Sequence, residues 1–338
     1  MDSTAIGRLA DRTPDVDAGR MAASLVPPRQ FAHAGLDNYR PDPDYPSQQG
    51  AVDAVQAFTA DWTSPPAGFF RRGPKPPERP GLYLDGGFGV GKTHLLAAMW
   101  QQAPGRKYFG TFIEYTALVG ALGYAQAVRL LTGSTLLAID EFELDDPGDT
   151  MLMSRLLGEL VATGTRIGAT SNTPPNALGE GRFAASDFLR EIQGLSDRFT
   201  TVRIEGLDYR RRALQGNARV ADEAELDSLP HAADVTVDDF DGLIAHLATV
   251  HPARYVGLVE GISTVGIRDV HELPGQTEAL RFVAFVDRLY DAQVRVVATG
   301  LPLDRVFGDD MLAGGYRKKY LRAMSRLIAM TAPDGPAE

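Results

Sequence analysis

The sequence predicts an α/β protein whose parallel sheet is covered by helices on both faces. One observation is the regular alternation, from Gly81 to Gly206, of short apolar runs with stretches whose apolar residues recur at helical spacing. A second is the glycine-rich turn that separates the first apolar run from the first helical stretch. Strands that alternate with helices form parallel sheets buried on both faces, and ligands bind beyond the carboxyl ends of such strands.

The individual elements are predicted in chain order from these patterns. The apolar runs predict five strands, at 81–86, 107–115, 135–142, 165–172 and 200–206. The helical spacing predicts helices at 51–60, 93–102, 118–131, 151–161 and 188–199. The helix at 151–161 carries an apolar stripe and is followed by Gly164, a residue suited to a C-cap. Residues 64–81 are rich in proline and basic side chains, which predicts an exposed loop.

The glycine-rich turn matches the phosphate-binding pattern G-x-x-x-x-G-K-[ST] from Gly86 to Thr93. It lies between a predicted strand and a predicted helix, which is the context that such a loop requires. Backbone N–H groups and the positive end of the helix dipole would bind phosphate oxygens. Lys92 would reach the β- and γ-phosphates of ATP, and Thr93 would bind Mg²⁺. The predicted nucleotide-binding residues here are Gly86, Gly87, Phe88, Gly89, Val90, Gly91, Lys92, Thr93 and His94, with packing or capping as the alternative for His94.

Polar residues follow the third and fourth predicted strands. Asp140 and Glu141 come directly after four apolar residues, and Asn172 ends the fourth strand. Asp140 is predicted to orient Mg²⁺ and Glu141 to polarise the attacking water, a division of roles that favours a hydrolase over a kinase. Asn172 would position the water and the γ-phosphate without adding charge. The alternatives are that the acidic pair merely ends its strand and that Asn172 is a turn residue before Pro174.

Three arginines are candidates for contact with the nucleotide. Arg198, just before the fifth predicted strand, is predicted to enter the site of a neighbouring subunit as an arginine finger, with a solvated surface position as the alternative. Arg182 is the second candidate for this role. Arg322 and Arg326 share one face of the basic helix predicted at Tyr316–Leu327. Arg326 would either reach the γ-phosphate or belong to a basic helix end that complements the helix dipole.

Composition excludes several classes of protein. The 338 residues carry a formal net charge of −10, which argues against an extensive nucleic-acid-binding surface. The chain has no cysteine, so disulfides, zinc ribbons and thiol catalysis are excluded. The sequence contains no run of about 18 apolar residues, so it predicts no membrane span. The N-terminus lacks the apolar region of a signal peptide. We therefore predict a cytoplasmic protein.

The chain is predicted to divide into four segments. These are a disordered arm at 1–26, a P-loop ATPase core at 27–206, a helical and α/β C-terminal lid region at 207–332, and a tail at 333–338. Within the third segment, TVGIRDV, a helix and VRVVATGLPLDRV repeat the order of TLLAIDEF, a helix and RIGATSNTPPNAL. The two isoleucines, Ile139 and Ile267, are 267 − 139 = 128 positions apart. This echo predicts a second strand–helix–strand unit without catalytic residues, and coincidental similarity is the alternative.

Several segments together resemble the ZapE cell-division ATPase family, its mitochondrial relatives and, more broadly, the AAA+ ATPases. The segments that carry the resemblance span most of residues 28–330 and are NYRPDPDYPSQ, GGFGVGKTHLL, IDEFELDDPGDTMLMSRLL, ATSNTPP, GLDYRRR, STVGIRDV, LRFVAFVDRLYD and YLRAMSRLIAM. The resemblance implies a magnesium-dependent ATPase that forms a homo-oligomer and remodels a protein of the bacterial division apparatus, a tubulin-like ring. It also favours the γ-phosphate role of Arg326.

One departure from the family concerns the stretch between Asn172 and Arg198, where the family usually carries a longer arginine-containing segment. The choice between Arg182 and Arg198 therefore stays open. Two other functions are compatible with the same ATPase core. One is a nucleic-acid-binding helicase loader switched by ATP, against which the net acidity counts. The other is a binding scaffold that the nucleotide only stabilises, which needs neither Glu141 nor Asn172.

Overall fold

The structure, a computed structural model, describes residues 6–14, 18–63, 77–87, 89–144, 147–175, 178, 193–194, 196–206 and 217–333. These residues form two compact units. The central unit comprises Asp17–Pro27 and Phe31–Arg211, and the terminal unit comprises Met1–Val16, Pro28–Gln30 and Arg212–Glu338.

The central unit contains a five-stranded sheet in the order β2-β3-β4-β1-β5. All of its strand pairs are parallel. Its strands are β1 (Gly81–Gly86), β2 (Lys107–Thr111), β3 (Leu136–Asp140), β4 (Arg166–Ser171) and β5 (Phe199–Ile204). Because every strand runs in the same direction, the residues that follow β1, β3 and β4 meet at one edge of the sheet.

Helices cover both faces of this sheet, as the sequence predicts. The helices in the described part of the central unit are α1 (Ala18–Ala23), α2 (Pro46–Thr63), α3 (Lys92–Gln102), α4 (Phe112–Leu122), α5 (Tyr124–Leu131) and α6 (Pro147–Ala162). Leu82 and Leu84 of β1 pack with apolar residues of α2 and α3 in one buried cluster. Tyr83, which points to the opposite face, packs with residues of α4 and α6 in another. The predicted α/β class is therefore confirmed.

The second strand is shorter than predicted. The sequence predicts strand over 107–115, whereas β2 ends at Thr111 and residues 112–115 open α4. Thr111 and Glu114 form a capping box at this helix start: the Glu114 carboxylate accepts the Thr111 N–H at 2.6 Å, and the Thr111 hydroxyl accepts the Glu114 N–H at 3.3 Å. The two bonds satisfy N–H groups that the first helical turn leaves unpaired, which favours the helix here over a longer strand.

The terminal unit contains a three-stranded parallel sheet in the order β6-β7-β8. Its strands are β6 (Val235–Asp239), β7 (Thr264–Val270) and β8 (Arg295–Gly300). Its described residues contain the helices α7 (Glu223–Asp227), α8 (Phe240–Thr249), α9 (Tyr255–Val259), α10 (Gln276–Asp291), α11 (Asp309–Ala313) and α12 (Arg317–Met330). No helix in the described parts of the chain combines the length and the apolar character needed to span a bilayer.

The sheet of the terminal unit repeats β2-β3-β4 of the central unit in order and register. In β2–β3 the pairing starts at Lys107 and Leu136, and in β6–β7 it starts at Val235 and Thr264, with offsets of 235 − 107 = 128 and 264 − 136 = 128. The pairing of β7 with β8 has the same register as that of β3 with β4. It starts at Arg295 instead of Arg166, an offset of 295 − 166 = 129 residues, one more than for the other two strands. The predicted strand–helix–strand unit is confirmed, because β7 and β8 are parallel neighbours joined by α10.

The described part of residues 1–26 is ordered, unlike the disordered arm that composition predicts. Leu9 is fully buried in the core of the terminal unit. The N–H groups of Leu9 and Ala10 donate to the buried Asp238 carboxylate at 2.8 and 2.9 Å. The Val237 N–H donates to the Gly7 carbonyl at 3.0 Å, so this segment pairs with the edge of β6. An edge strand offers unpaired backbone groups that even a polar segment can satisfy, a gain that composition does not reveal.

Candidate nucleotide-binding site

The glycine-rich loop joins the end of β1 to the start of α3. Gly86 ends the strand, and a Cβ there would overlap the carbonyl oxygen of Ile204 in β5. Gly91 has φ +81° and precedes α3 without a side chain that could cap the first N–H groups of the helix. Glycine fits position 86 because the backbone of β5 comes so close to it, and it fits position 91 because it takes a positive φ at low cost. An uncapped helix start beside a glycine loop is suited to binding a phosphate.

Lys92 and Asn172 lie together at this loop. The Lys92 ammonium donates to the Gly86 carbonyl at 2.9 Å, to the Gly87 carbonyl at 2.5 Å and to the Asn172 Oδ1 at 2.9 Å. Asn172 follows directly on β4, so two separate strand ends converge on one cation. The lysine is therefore within reach of the loop that would hold phosphates, and the amide lies beside it.

Thr93 and Asp140 form a second pair at the same edge of the sheet. The Thr93 hydroxyl lies 3.2 and 3.1 Å from the two oxygens of Asp140, which ends β3 and is only 8% exposed. A hydroxyl and a carboxylate are oxygen ligands that suit Mg²⁺. Among the residues that the structure describes, no group of three or more His, Cys, Asp or Glu side chains could hold a metal by itself. The pair therefore fits an ion that is bound partly by phosphate oxygens and water, as Mg²⁺ usually is.

Glu141 has a left-handed backbone conformation. Its φ is +55°, and its N–H donates to the hydroxyl of Thr170 on β4 at 3.1 Å. A residue with a Cβ takes this conformation only at a cost, so the surrounding structure must hold it there. Glu141 is partly exposed. Because it directly follows Asp140 at the end of β3, the acidic pair lies at the same carboxyl edge of the central sheet as the loop and Lys92.

The segment before α2 contributes a residue that the sequence analysis does not single out. The Tyr39 hydroxyl donates to the Val90 carbonyl at 2.8 Å, and a Cβ at Gly91 would overlap the Tyr39 ring. His94 packs against the same segment: its Nε2 lies 2.9 Å from the Gly35 carbonyl, and its ring centroid lies 5.6 Å from that of Tyr39. These contacts agree with the packing alternative for His94. The first of the two tyrosines in NYRPDPDYPSQ was the available signal for Tyr39, but nothing in the nearby sequence links it to the loop.

A buried charge also lies next to the loop. Asp85, the residue before Gly86, is 2% exposed, and its Oδ2 accepts a hydrogen bond from the Arg203 guanidinium at 2.7 Å. The two residues are also register partners in β1 and β5. This ion pair joins the two strands where the phosphate loop begins, and sequence reasoning missed it because the partners are 118 positions apart in the sequence.

Arg198 lies at the opposite edge of the central sheet from the phosphate loop. Its carbonyl accepts the N–H of Gly81, the first residue of β1, at 3.0 Å, whereas the loop follows the last residue of that strand. Six residues of extended chain separate the two ends by about 20 Å. The guanidinium lies beside Gly158 of α6. Phe88 and Arg182, the other predicted site residues of this unit, lie outside the described residues.

Arg326 pairs with a buried carboxylate of the terminal unit. The guanidinium groups of Arg326 and Arg322, both on α12, donate to the two oxygens of Asp287 on α10, and the Arg322 bond measures 2.6 Å. The dipole alternative is wrong, because the last turn of α12 contains no basic residue and Arg317 lies in its first turn, where positive charge is unfavourable. Contact between Arg326 and a γ-phosphate stays a prediction.

We expect Asp287→Ala to destabilise the terminal unit by about 3–5 kcal/mol, because the change removes the buried carboxylate that Arg322 and Arg326 share. Burial opposes ionisation of Asp287, but the charges of Arg322 and Arg326 outweigh burial and hold its pKa below the usual 3.8. The stabilisation is therefore complete above that value and is lost as the pH falls through the lowered pKa. Urea denaturation at neutral and at acid pH measures both effects.

Asp291→Ala is the matched control for this substitution. Asp291 is on the same helix, and its carboxylate lies 3.6 Å from the Arg288 guanidinium in a more exposed pair. Such a pair contributes about 0–1 kcal/mol. Equal losses of stability in the two variants would contradict the structural role assigned to Asp287.

Comparison with known proteins shows which proteins this chain is similar to. A profile of the AFG1-like ATPase family matches residues 16–229 and 222–335. The chain is 29% identical to the cell division protein ZapE of Escherichia coli (strain K12) over 298 residues, which are 75% of this chain and 78% of the relative. It is 23% identical to lactation elevated protein 1 homolog B of Danio rerio over 299 residues, 71% of this chain and 59% of that protein. Among solved structures, the crystal structure of the DnaI aligns with 54% of this chain and 98% of its own, at 19% identity and a TM-score of 0.40.

The family match covers the phosphate loop, the acidic pair and the strand–helix–strand repeat of the terminal unit. It also confirms the relationship to ZapE and its relatives that the sequence motifs indicate. The chain belongs to the AFG1-like ATPase family.

Proposed function

We propose that this protein hydrolyses ATP in the presence of Mg²⁺ and uses the cycle to remodel a protein partner of the bacterial division apparatus. The observation that carries the proposal is the convergence of Lys92 with Asn172 and of Thr93 with Asp140 at one edge of the central sheet. These four side chains offer a cation, an amide, a hydroxyl and a carboxylate beside an uncapped helix start. Membership of an ATPase family supports the same activity.

Binding of the nucleotide would use the groups already present at the loop. The N–H groups of the glycine loop and of the first turn of α3 would donate to phosphate oxygens. Lys92 would exchange the carbonyl oxygens of Gly86 and Gly87 for those of the β- and γ-phosphates. Thr93 and Asp140 would hold Mg²⁺, which when bound neutralises part of the charge on the phosphates.

Hydrolysis would use Glu141 and Asn172. Glu141 would accept the proton of the attacking water while the water oxygen bonds to the γ-phosphorus and the bond to the β,γ-bridging oxygen breaks. Asn172, already within 2.9 Å of the Lys92 ammonium, would hydrogen-bond the γ-phosphate and the water. Neutral amides position such groups without adding to the negative charge.

A neighbouring subunit would complete the site with Arg198. This arginine lies at the other edge of its own sheet, so it would serve the site of another copy in a homo-oligomer. We expect Arg198→Ala to lower kcat by about 10²-fold, the usual cost of removing one donor to the transition state. Mixing it with Lys92→Ala should restore part of the activity, because the second variant supplies Arg198 to intact loops of the first.

The matched control for the mixing experiment is the double variant Lys92→Ala/Arg198→Ala, which has no arginine to supply and should restore nothing. Steady-state phosphate release at varied mixing ratios measures the effect. Full activity of Arg198→Ala alone would assign the role elsewhere, and the same measurements on Arg182→Ala would then decide whether Arg182 has it.

The proposed division partner rests on similarity to the cell division protein ZapE, and the proposed cytoplasmic location rests on the sequence composition. The test of the whole proposal is ATP hydrolysis with and without Mg²⁺, each with a purified tubulin-like division polymer or with single-stranded DNA. Hydrolysis that needs Mg²⁺ and increases with the polymer supports the proposal. Stimulation by DNA alone would favour a nucleic-acid-dependent helicase loader instead, and absence of hydrolysis would overturn the assignment as an ATPase.

A further inference from the structure

One buried threonine contacts the last residue of β3 and the two residues that follow it. The Thr170 side chain, on β4 and 1% exposed, donates through its hydroxyl to the Asp140 carboxylate. The same oxygen accepts the Glu141 N–H at 3.1 Å. The Thr170 carbonyl accepts the Phe142 N–H at 2.6 Å. A single residue outside the phosphate loop therefore fixes the carboxylate of one acidic residue and the backbone of the next.

These contacts explain how Glu141 keeps its unfavourable backbone conformation. Register pairing between β3 and β4 ends at Ile139 and Ala169, so the strand ladder does not hold residue 141. The hydroxyl and carbonyl of Thr170 instead bind two successive N–H groups beyond the ladder. Without the hydroxyl, the Glu141 N–H would lose this bond to β4.

The repeat in the terminal unit provides an internal comparison. Asp269, at the position that corresponds to Glu141, has φ +53°, and its N–H donates to the Thr299 hydroxyl at 3.2 Å. Thr299 is 5% exposed and corresponds to Thr170. The threonine hydroxyl and the left-handed residue therefore occur together in both units.

The two units differ at the position that corresponds to Asp140. In the terminal unit this position is Arg268, whose guanidinium pairs with Glu223 and Asp227. In both units, therefore, a threonine hydroxyl accepts the N–H of the residue that has the left-handed backbone conformation. In the central unit the Thr170 hydroxyl also donates to the Asp140 carboxylate, which Thr93 contacts and which is suited to binding a metal. The terminal unit has an arginine in place of this carboxylate.

We propose that Thr170 is a positioning residue for ATP hydrolysis, which aims Asp140 through its hydroxyl and presents Glu141 through its hold on the backbone. The proposal rests on the function proposed above. It predicts that the hydroxyl affects the chemical step and the response to Mg²⁺, and that it leaves phosphate binding by the loop and Lys92 intact.

The substitution that tests the proposal is Thr170→Val, which keeps the shape of the side chain and removes only the hydroxyl. We expect kcat to fall by about 10- to 100-fold, because small misplacements of reacting groups cost this much. The dissociation constant for ATP in EDTA should stay unchanged, while the Mg²⁺ concentration needed for half-maximal rate should rise. Thr170→Ser restores the hydroxyl and should recover most of the rate.

Thr299→Val is the matched control, because it removes the corresponding hydroxyl where no catalytic carboxylate lies. It should lower the melting temperature and leave kcat and the Mg²⁺ response unchanged. Wild-type kcat in Thr170→Val, an equal loss of kcat in Thr299→Val, or failure of Thr170→Ser to recover would each overturn the proposal.

Crystal structures of the variants without nucleotide keep this test separate from that of the proposed function. In Thr170→Val we expect Glu141 to leave the left-handed region and the Asp140 carboxylate to turn, and in Thr299→Val we expect both to stay unchanged. If the wild-type protein failed to hydrolyse ATP, the proposed function would fall while these structures still decided the positioning claim. An unchanged Glu141 backbone and Asp140 side chain in Thr170→Val would overturn it.

Discussion

Lys92→Ala should lose ATP binding and, with it, hydrolysis. The Lys92 ammonium is the one cation shown within hydrogen-bond distance of both the described phosphate loop and Asn172. Truncating one partner of a charge pair buried at a binding site costs about 3–4 kcal/mol. This corresponds to a dissociation constant roughly 100- to 1000-fold higher. Equilibrium titration with a fluorescent ATP analogue measures the affinity, and phosphate release measures the rate.

Lys107→Ala is the matched control for the loss of a lysine. Lys107 begins β2 at the edge of the sheet away from the loop; its ammonium donates to the Gln101 carbonyl at 3.1 Å and lies 4.4 Å from the centroid of the Trp100 ring. We expect this variant to bind and hydrolyse ATP like the wild type. Wild-type affinity in Lys92→Ala would remove the phosphate loop from the proposed site.

Glu141→Gln should bind ATP normally and hydrolyse it about 10²- to 10⁴-fold more slowly, the usual contribution of a general base. The amide has the shape of the carboxylate but cannot accept the proton of the attacking water. Binding should persist because Lys92, Thr93 and Asp140 are unchanged. Single-turnover hydrolysis with enzyme in excess isolates this step from product release.

The control for this charge removal is Asp269→Asn, at the corresponding position of the terminal unit and in the same left-handed conformation. It should retain the wild-type rate. Undiminished turnover in both Glu141→Gln and Lys92→Ala would show that the acidic pair and the loop do not form an ATPase site. Slow turnover in Glu141→Gln together with weakened binding would assign Glu141 a role in holding the nucleotide instead.

The sequence predicts much of the site because its residues come at strand ends. The spacing from Gly86 to Thr93 is fixed by the phosphate loop itself, and Asp140 and Asn172 each follow an apolar run. In a parallel sheet such positions share one edge, so their proximity follows once the strands are recognised. The convergence of Lys92 with Asn172 is of this kind.

Other contacts could not be predicted because they depend on packing between distant parts of the chain. Tyr39 reaches Val90, Arg203 reaches Asp85, and Arg326 reaches Asp287, and these partners are 51, 118 and 39 positions apart in the sequence. No local periodicity relates such residues. The helix start at Thr111 is different: its capping box is visible in the sequence, but the β-branched and aromatic residues around it favoured a strand.

The burial of Leu9 has a consequence for synthesis of the protein on the ribosome. Its N–H binds Asp238, 229 residues further along the chain, so these first residues leave the ribosome long before their binding surface exists. At a synthesis rate of about 5–20 residues per second, Asp238 is added to the chain roughly 10–45 s after Leu9. By the end of this interval all five strands of the central unit have been synthesised, since β5 ends at Ile204. The hydrophobic core that contains Leu9 can therefore be completed only after the strands of the central unit have been synthesised.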